Sequence, residues 1–132
     1  MASARVDVVR EVMRALFAGD FEAVERLTTP DVAFRSGLAA IEGRPYEGPD
    51  GFRQYVADLA DTFESFEPEF LDVSDLGEQV ITTLAVHAVG RGSGLVVEEK
   101  YWIVFWFEDG LIRRAERFDD RGAAVAAAEP LI

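Results

Sequence analysis

The side chains able to do acid-base work cluster late in the sequence, where Glu99, Tyr101, Arg114 and Glu116 alternate with large apolar residues and the single histidine, His87, precedes them. A carboxylate held among aromatic rings has its charged form disfavoured, which suits it to general acid or base work near neutral pH. Glu116 is the first candidate. Arg114, two residues earlier on the same face of a strand, can pair with it, and Tyr101 and His87 can donate to a substrate oxygen. The plain alternative is that Arg114 and Glu116 form an ordinary structural ion pair and that His87 is a hydrogen-bonded structural residue, arrangements commoner than catalytic ones.

Composition removes most other chemistry. Zero Cys excludes disulfides and thiolate nucleophiles, and one His excludes the catalytic zinc sites that need two imidazoles. No metal and no cofactor is expected; carboxylates alone would hold magnesium weakly. Thirteen Lys and Arg against twenty-five Asp and Glu leave a net charge of −12, which repels nucleic acid and anionic membrane surfaces alike. With 132 residues, 49% of them apolar and 29% charged, residues 1–132 read as one globular domain with room for one core and one pocket. The first residues lack the apolar run of a signal peptide and no later run approaches the thickness of a bilayer, so a cytoplasmic protein is expected.

The elements that must position these residues follow from periodicity. Val9, Val12, Met13, Leu16 and Phe17 recur at helical spacing between Arg5 and Phe17, Gly19 ends that helix, and Asp20 can cap a short second one carrying Phe21, Val24 and Leu27. A short extended piece, Val32 to Arg35, leads into a loop from Gly37 to Pro49. Pro49 and Asp50 then open a third helix whose apolar face is Phe52, Tyr55, Val56, Leu59 and Phe63. After Pro68 the period becomes two, with strands expected near 69–76, 79–89, 95–107 and 111–118, and Asp119 or Asp120 can cap an alanine-rich final helix. Helices followed by a strand meander predict an α+β fold in which a curved antiparallel sheet packs one face on the helices.

Hairpin register decides which side chains share a face. A two-residue Asp109-Gly110 turn would set Phe105 opposite Arg114, Ile103 opposite Glu116 and Tyr101 opposite Phe118; a five-residue Gly90 to Gly94 turn would set His87 opposite Val97. One face then gathers His87, Glu99, Tyr101, Ile103, Phe105, Phe107, Arg114, Glu116 and Phe118, an apolar lining with a few polar groups of the kind that holds a small apolar molecule. Tyr46 could lid this pocket and Arg35 could project into it. The other face gathers Trp102, Val104 and Trp106 with Leu84 and Val86, edged by Glu98, Lys100, Arg113 and Arg117, and it predicts a homodimer through that outer face.

Four segments resemble the SnoaL-like branch of the nuclear transport factor 2-like superfamily: residues 8–20, from Val8 through the Gly19-Asp20 stop; Thr29 to Phe34; Tyr46 to Phe52; and Phe107 to Ile112 running into Glu116 to Asp119. The resemblance implies a cone-shaped α+β barrel, its N-terminal helices closing a sheet around a pocket, with frequent dimers through the back of the sheet. It is specific for fold and weak for function, since relatives include polyketide cyclases, ketosteroid isomerases, epoxide hydrolases of the limonene type and proteins that only bind. Where ketosteroid isomerases carry a tyrosine and two aspartates, this chain has Val12, Ser36 and Ile103; where the epoxide hydrolases carry an Arg and an Asp, it has Thr83 and Ala85. The resemblance keeps one carboxylate, Glu116, three residues before Asp119.

The expected function is a cofactor-free isomerase, cyclase or dehydratase acting on a small apolar substrate. Glu116 would be acid or base, His87, Tyr101 and Arg114 would polarise or orient, and Glu99, Ile103, Phe105, Phe118, Tyr46 and Arg35 would contact the substrate. The rivals are a non-catalytic binder of the same shape and an association domain whose cavity is filled by its own Phe side chains.

Overall fold

A computed structural model describes residues 4–36 and 45–128. The elements are α1 (Ala4–Ala18), α2 (Phe21–Leu27), β1 (Thr28–Arg35), β2 (Tyr46–Glu47), α3 (Gly48–Thr62), β3 (Phe63–Asp75), β4 (Gln79–Gly90), β5 (Val96–Glu108), β6 (Leu111–Phe118) and α4 (Arg121–Ala128). Most of the loop expected from Gly37 to Pro49 lies outside the described residues. Two of the helices, α2 and α4, start where a short polar side chain caps them: the Asp20 carboxylate accepts from the Ala23 N–H at 3.3 Å, and that of Asp120 from the Ala123 N–H at 3.2 Å, whereas α3 opens on Pro49 without a side-chain cap.

The six strands form one sheet in the order β2-β1-β6-β5-β4-β3. The architecture is α+β, as expected, but the sheet is mixed and does not close into a barrel, because β1 runs parallel to β6 and the edges β2 and β3 are not paired with each other. Two differences from the periodicity reading have local causes. β1 begins at Thr28 and passes through Pro30, and β3 begins at Phe63 and passes through Pro68. Pro68 is tolerated because β3 is an edge strand, where a missing N–H removes no ladder bond on the open side.

Helices α1, α2 and α3 cover the inner face of the sheet. Val9, Val24, Val32, Val80 and Leu84 are buried there at 1% exposure or less, each burial worth roughly 1.5–3 kcal/mol. The outer face carries a second, smaller cluster in which Ile81 and Val104 meet Ala124 and Ala128 of α4, with Trp102, Trp106, Phe118 and Val125 around them. The outer face therefore has a partial cover of its own, the alanine-rich helix. Among the described residues no helix is long and apolar enough to cross a membrane.

The two hairpins set the faces. Asp109 and Gly110 both have positive φ, 52° and 83°, the type I′ geometry, and Glu108 pairs with Leu111. One residue further a bulge intervenes: Phe107 pairs with Ile112 but Trp106 pairs with Arg114, so Arg113 is extra and every later β6 residue changes face. At the other hairpin the Gly90 N–H donates to the Leu95 carbonyl at 2.8 Å, which sets Val89 opposite Val96 and His87 opposite Glu98. Each expected register is therefore displaced by one residue.

Candidate functional site

The displacement separates the residues that the expected registers placed together. Glu99, Tyr101, Ile103 and Phe105 of β5 face the helices, as expected, joined by Val86 and Leu84 of β4 and by Ala115 and Arg117 of β6. Glu116, Arg114, Phe118 and His87 stand on the outer face with Trp102, Val104 and Trp106. The pocket shared by Glu116 and Tyr101 is thus corrected. Glu116 lies opposite Val104, where its carboxylate accepts from Arg114 at 2.5 Å, and the Arg114 guanidinium covers the Trp106 ring at 4.4 Å. His87 is half exposed and lies 3.0 Å from Glu98. Arg35 is exposed and pairs in register with Glu116, so it too belongs to the outer side. Thr83 and Ala85 share that face, opposite Trp102 and Lys100. The Tyr46 hydroxyl donates to Asp58 at 2.5 Å and its ring packs on Phe34 and Tyr55, making it a support behind the aromatic wall rather than a lid.

What the inner face builds instead is an aromatic cavity. Val12, Met13, Leu16 and Phe17 of α1, Phe34 of β1, Phe52 and Tyr55 of α3, and Tyr101, Ile103, Phe105, Ile112 and Ala115 of the sheet enclose about 20 Å³, room for roughly one water. Its wall is a set of interlocked rings: Phe34 meets Tyr55 edge-on at 4.9 Å and stacks on Phe52 at 5.9 Å. Gly51 lets the chain pass close behind it, since a Cβ there would lie a tight 3.0 Å from the Tyr46 carbonyl carbon. On the far side of Tyr55 a second pocket of about 100 Å³ is lined by Ser36, Leu59, Phe63, Phe66, Val97, Glu99 and Arg117. A larger depression of about 630 Å³, on the outer face between Glu67, Glu69, His87, Glu98 and Lys100, is more open to solvent and lined by more charged groups. The two inner pockets are the better candidate for a ligand.

The polar groups of the inner site are few. Tyr55 and Tyr101 are 7% and 2% exposed, and neither hydroxyl has a hydrogen-bond partner among the described residues. Burial pushes the Tyr101 hydroxyl up to about 12 and moves that of Tyr55 further in the same direction, with Tyr101 and Tyr46 adding to the rise at Tyr55 and the nearby Arg117 opposing it at both. Both phenols are therefore neutral donors at pH 7. The Arg117 guanidinium lies 4.3 Å over the Tyr101 ring and bonds to Glu99 at 2.9 Å and Asp119 at 3.2 Å. Among the described residues no three His, Asp or Glu side chains converge to hold a metal ion.

Two of these groups, Tyr55 and Arg117, are absent from the site as read in sequence. Tyr55 reads only as one more apolar residue on the α3 face. Arg117 reads as an outer-edge charge because β6 was aligned without its bulge. The signal for that bulge is present: Ile112-Arg113-Arg114-Ala115 sets two charged residues between two buried ones, which strict alternation does not allow. The three positions where ketosteroid isomerases place their working residues do lie on the inner side, with Val12 and Ile103 in the cavity wall and Ser36 in the second pocket.

A SnoaL-like domain model matches residues 9–115, most of the chain. The chain belongs to the SnoaL-like family. No curated protein matches it in sequence. Among solved structures, this SnoaL-like chain is similar to an NTF2-like protein of unknown function from Burkholderia pseudomallei (TM-score 0.77, 19% identity, 95% of this chain and 97% of that one). It is also similar to a protein from Jannaschia sp. CCS1 assigned as a SnoaL-like polyketide cyclase (TM-score 0.71, 20% identity, 96% and 94%). A third is a Mycobacterium tuberculosis protein in complex with estradiol-17β-hemisuccinate (TM-score 0.70, 16% identity, 92% and 97%). At these identities the likeness concerns the fold.

Proposed function

We propose that this SnoaL-like protein binds a small, largely apolar molecule in the inner pockets and holds one of its oxygens with the hydroxyls of Tyr55 and Tyr101. The observation that carries the reading is that Tyr55 and Tyr101, buried and without a hydrogen-bond partner among the described residues, stand in the wall of an otherwise apolar cavity. Two neutral donors aimed at one oxygen stabilise negative charge developing there, the requirement of proton transfer at a carbon next to a carbonyl. This keeps the reaction class of an isomerase or cyclase without Glu116, which stands on the outer face. The steroid complex of the M. tuberculosis structure supports the reading as an example of this fold holding an apolar ring system. The cavity is nearly closed, so entry requires side chains to move; Phe17, in its wall and 38% exposed, is the nearest to solvent. Isothermal titration of wild type and Tyr101→Phe with a series of aromatic ketones tests this. Wild type should bind at least one, and the variant should bind it roughly tenfold more weakly. No binding, or equal binding, overturns the reading.

The outer face supports a homodimer. Trp102, Trp106 and Phe118 remain half-buried beside α4, and the Trp102 indole N–H is buried without a partner among the described residues. Val104 is already covered by α4, so a second copy would be seated on Trp102, Trp106 and Phe118. Native mass spectrometry at micromolar concentration should show a dimer that Trp106→Glu converts to monomer; a wild-type monomer refutes it.

A further inference from the structure

Arg117 is placed unusually for a paired cation. Its side chain is 22% exposed, on the inner face between the Tyr101 ring and the second pocket, whereas the carboxylates that neutralise it, Glu99 and Asp119, are 53% and 84% exposed. The cation sits deeper than its anions. Both partners reach it from the solvent side, where pairing is weak, and the guanidinium is a planar fork of donors suited to a carboxylate. Among the described residues lining the second pocket, Arg117 and Glu99 are the charged ones; apart from Ser36 and the Tyr55 ring the rest of the wall, with Leu59, Phe63, Phe66 and Val97, is apolar. A pocket that is apolar on its sides and carries one half-buried guanidinium at its end complements a flat apolar molecule with a negative oxygen at one end.

We propose that Arg117 anchors the carboxylate of an aromatic carboxylic acid, and that Glu99 is the counter-ion this carboxylate displaces. The proposal rests on the reading of the inner pockets as a ligand site and names the ligand class that site takes. The ring system lies against Tyr55 and Phe66, and the ligand carboxylate takes the place of Glu99 on the guanidinium. Glu99, already half exposed, turns to water without leaving a buried charge behind.

Titrating the full-length protein with 2-naphthoate and with its neutral methyl ester separates the anchor from the pocket. Wild type should bind naphthoate about tenfold more tightly than the ester, the effect of one charge-assisted hydrogen-bonded contact net of the displaced pair. Arg117→Met should lose that preference and keep its affinity for the ester, and Arg117→Lys, which retains charge without the fork, should fall between. Glu99→Gln, a rim substitution with little consequence for folding, should strengthen naphthoate binding several-fold and leave the ester unchanged. Equal binding of the two probes by wild type, or naphthoate binding unaffected by both Arg117→Met and Glu99→Gln, overturns the anchor while leaving the pocket reading in place. Binding of neither probe overturns both.

Discussion

Tyr55→Phe is the most informative single change because it removes one oxygen and leaves the packing alone. The ring is held edge-on to Phe34 at 4.9 Å and to Tyr46 at 5.5 Å, contacts that phenylalanine keeps. The hydroxyl, on a residue 7% exposed, has no partner among the described residues. A fully enclosed unpaired hydroxyl costs about 1–3 kcal/mol, but that of Tyr55, unlike the side-chain atoms of Thr29 and Trp102, is not fully enclosed, so only part of that cost applies. The variant should therefore equal or exceed wild type in stability by up to about 1 kcal/mol, a rise in Tm of up to about 4 °C for a domain of this size. Urea unfolding followed by the fluorescence of Trp102 and Trp106, at one fixed protein concentration, measures it, with the m-value expected to stay constant. Ligand affinity should move the opposite way, so that a more stable protein binds less well, the mark of a polar group kept for function rather than folding. A loss of more than about 1 kcal/mol would refute the reasoning, because it would mean that the hydroxyl is already hydrogen-bonded in the folded chain.

Alkaline pH tests both tyrosines together. Their folded pKa values are raised above the ordinary 10.0 by burial, so their contribution to stability is fully present below pH 10 and is lost as pH climbs from there through about 12. Stability should be flat to about pH 9 and then fall, and the fall should be shallower in the Tyr55→Phe/Tyr101→Phe double variant; identical slopes would count against the burial of these hydroxyls. Glu116→Gln breaks only a pair on the outer face, with side chains 23% and 45% exposed, so it should change stability by less than about 1 kcal/mol and leave ligand affinity as it was. Loss of binding in that variant would return Glu116 to the pocket and refute the bulged register.

Much of this architecture is legible in local pattern. The helical spacing of Val9, Val12, Met13 and Leu16, the Asp20 and Asp120 caps, the Asp109-Gly110 turn and the alternation of Tyr101, Ile103 and Phe105 all depend on residues close together in the chain, and all are as expected. The alternation of β5 places Glu99, Tyr101, Ile103 and Phe105 together without reference to any neighbouring strand. The site is less legible because it depends on strands meeting in register, and side chains alternate with a period of two, so one inserted residue exchanges the faces completely. Arg113 is that residue in β6, and the Gly90–Leu95 closure has the same effect on β4.

By itself the amino-acid sequence determined the helices, the strands, the α+β class and the likeness to the SnoaL-like family, because each is written in spacing a few residues long. It also confined the chemistry to carboxylates, phenols and guanidinium groups, since the chain has no Cys and one His. Only the tertiary structure decided which of those groups meet. It put Glu116 and His87 outside, against Arg114 and Glu98, and brought Tyr55 from α3 to Tyr101 and Arg117 on the sheet. The reason is physical: a pocket is made by residues far apart in sequence, and the ladder hydrogen bonds that select one register over its neighbour are set by a bulge and a turn whose preference emerges when the apolar faces are packed together.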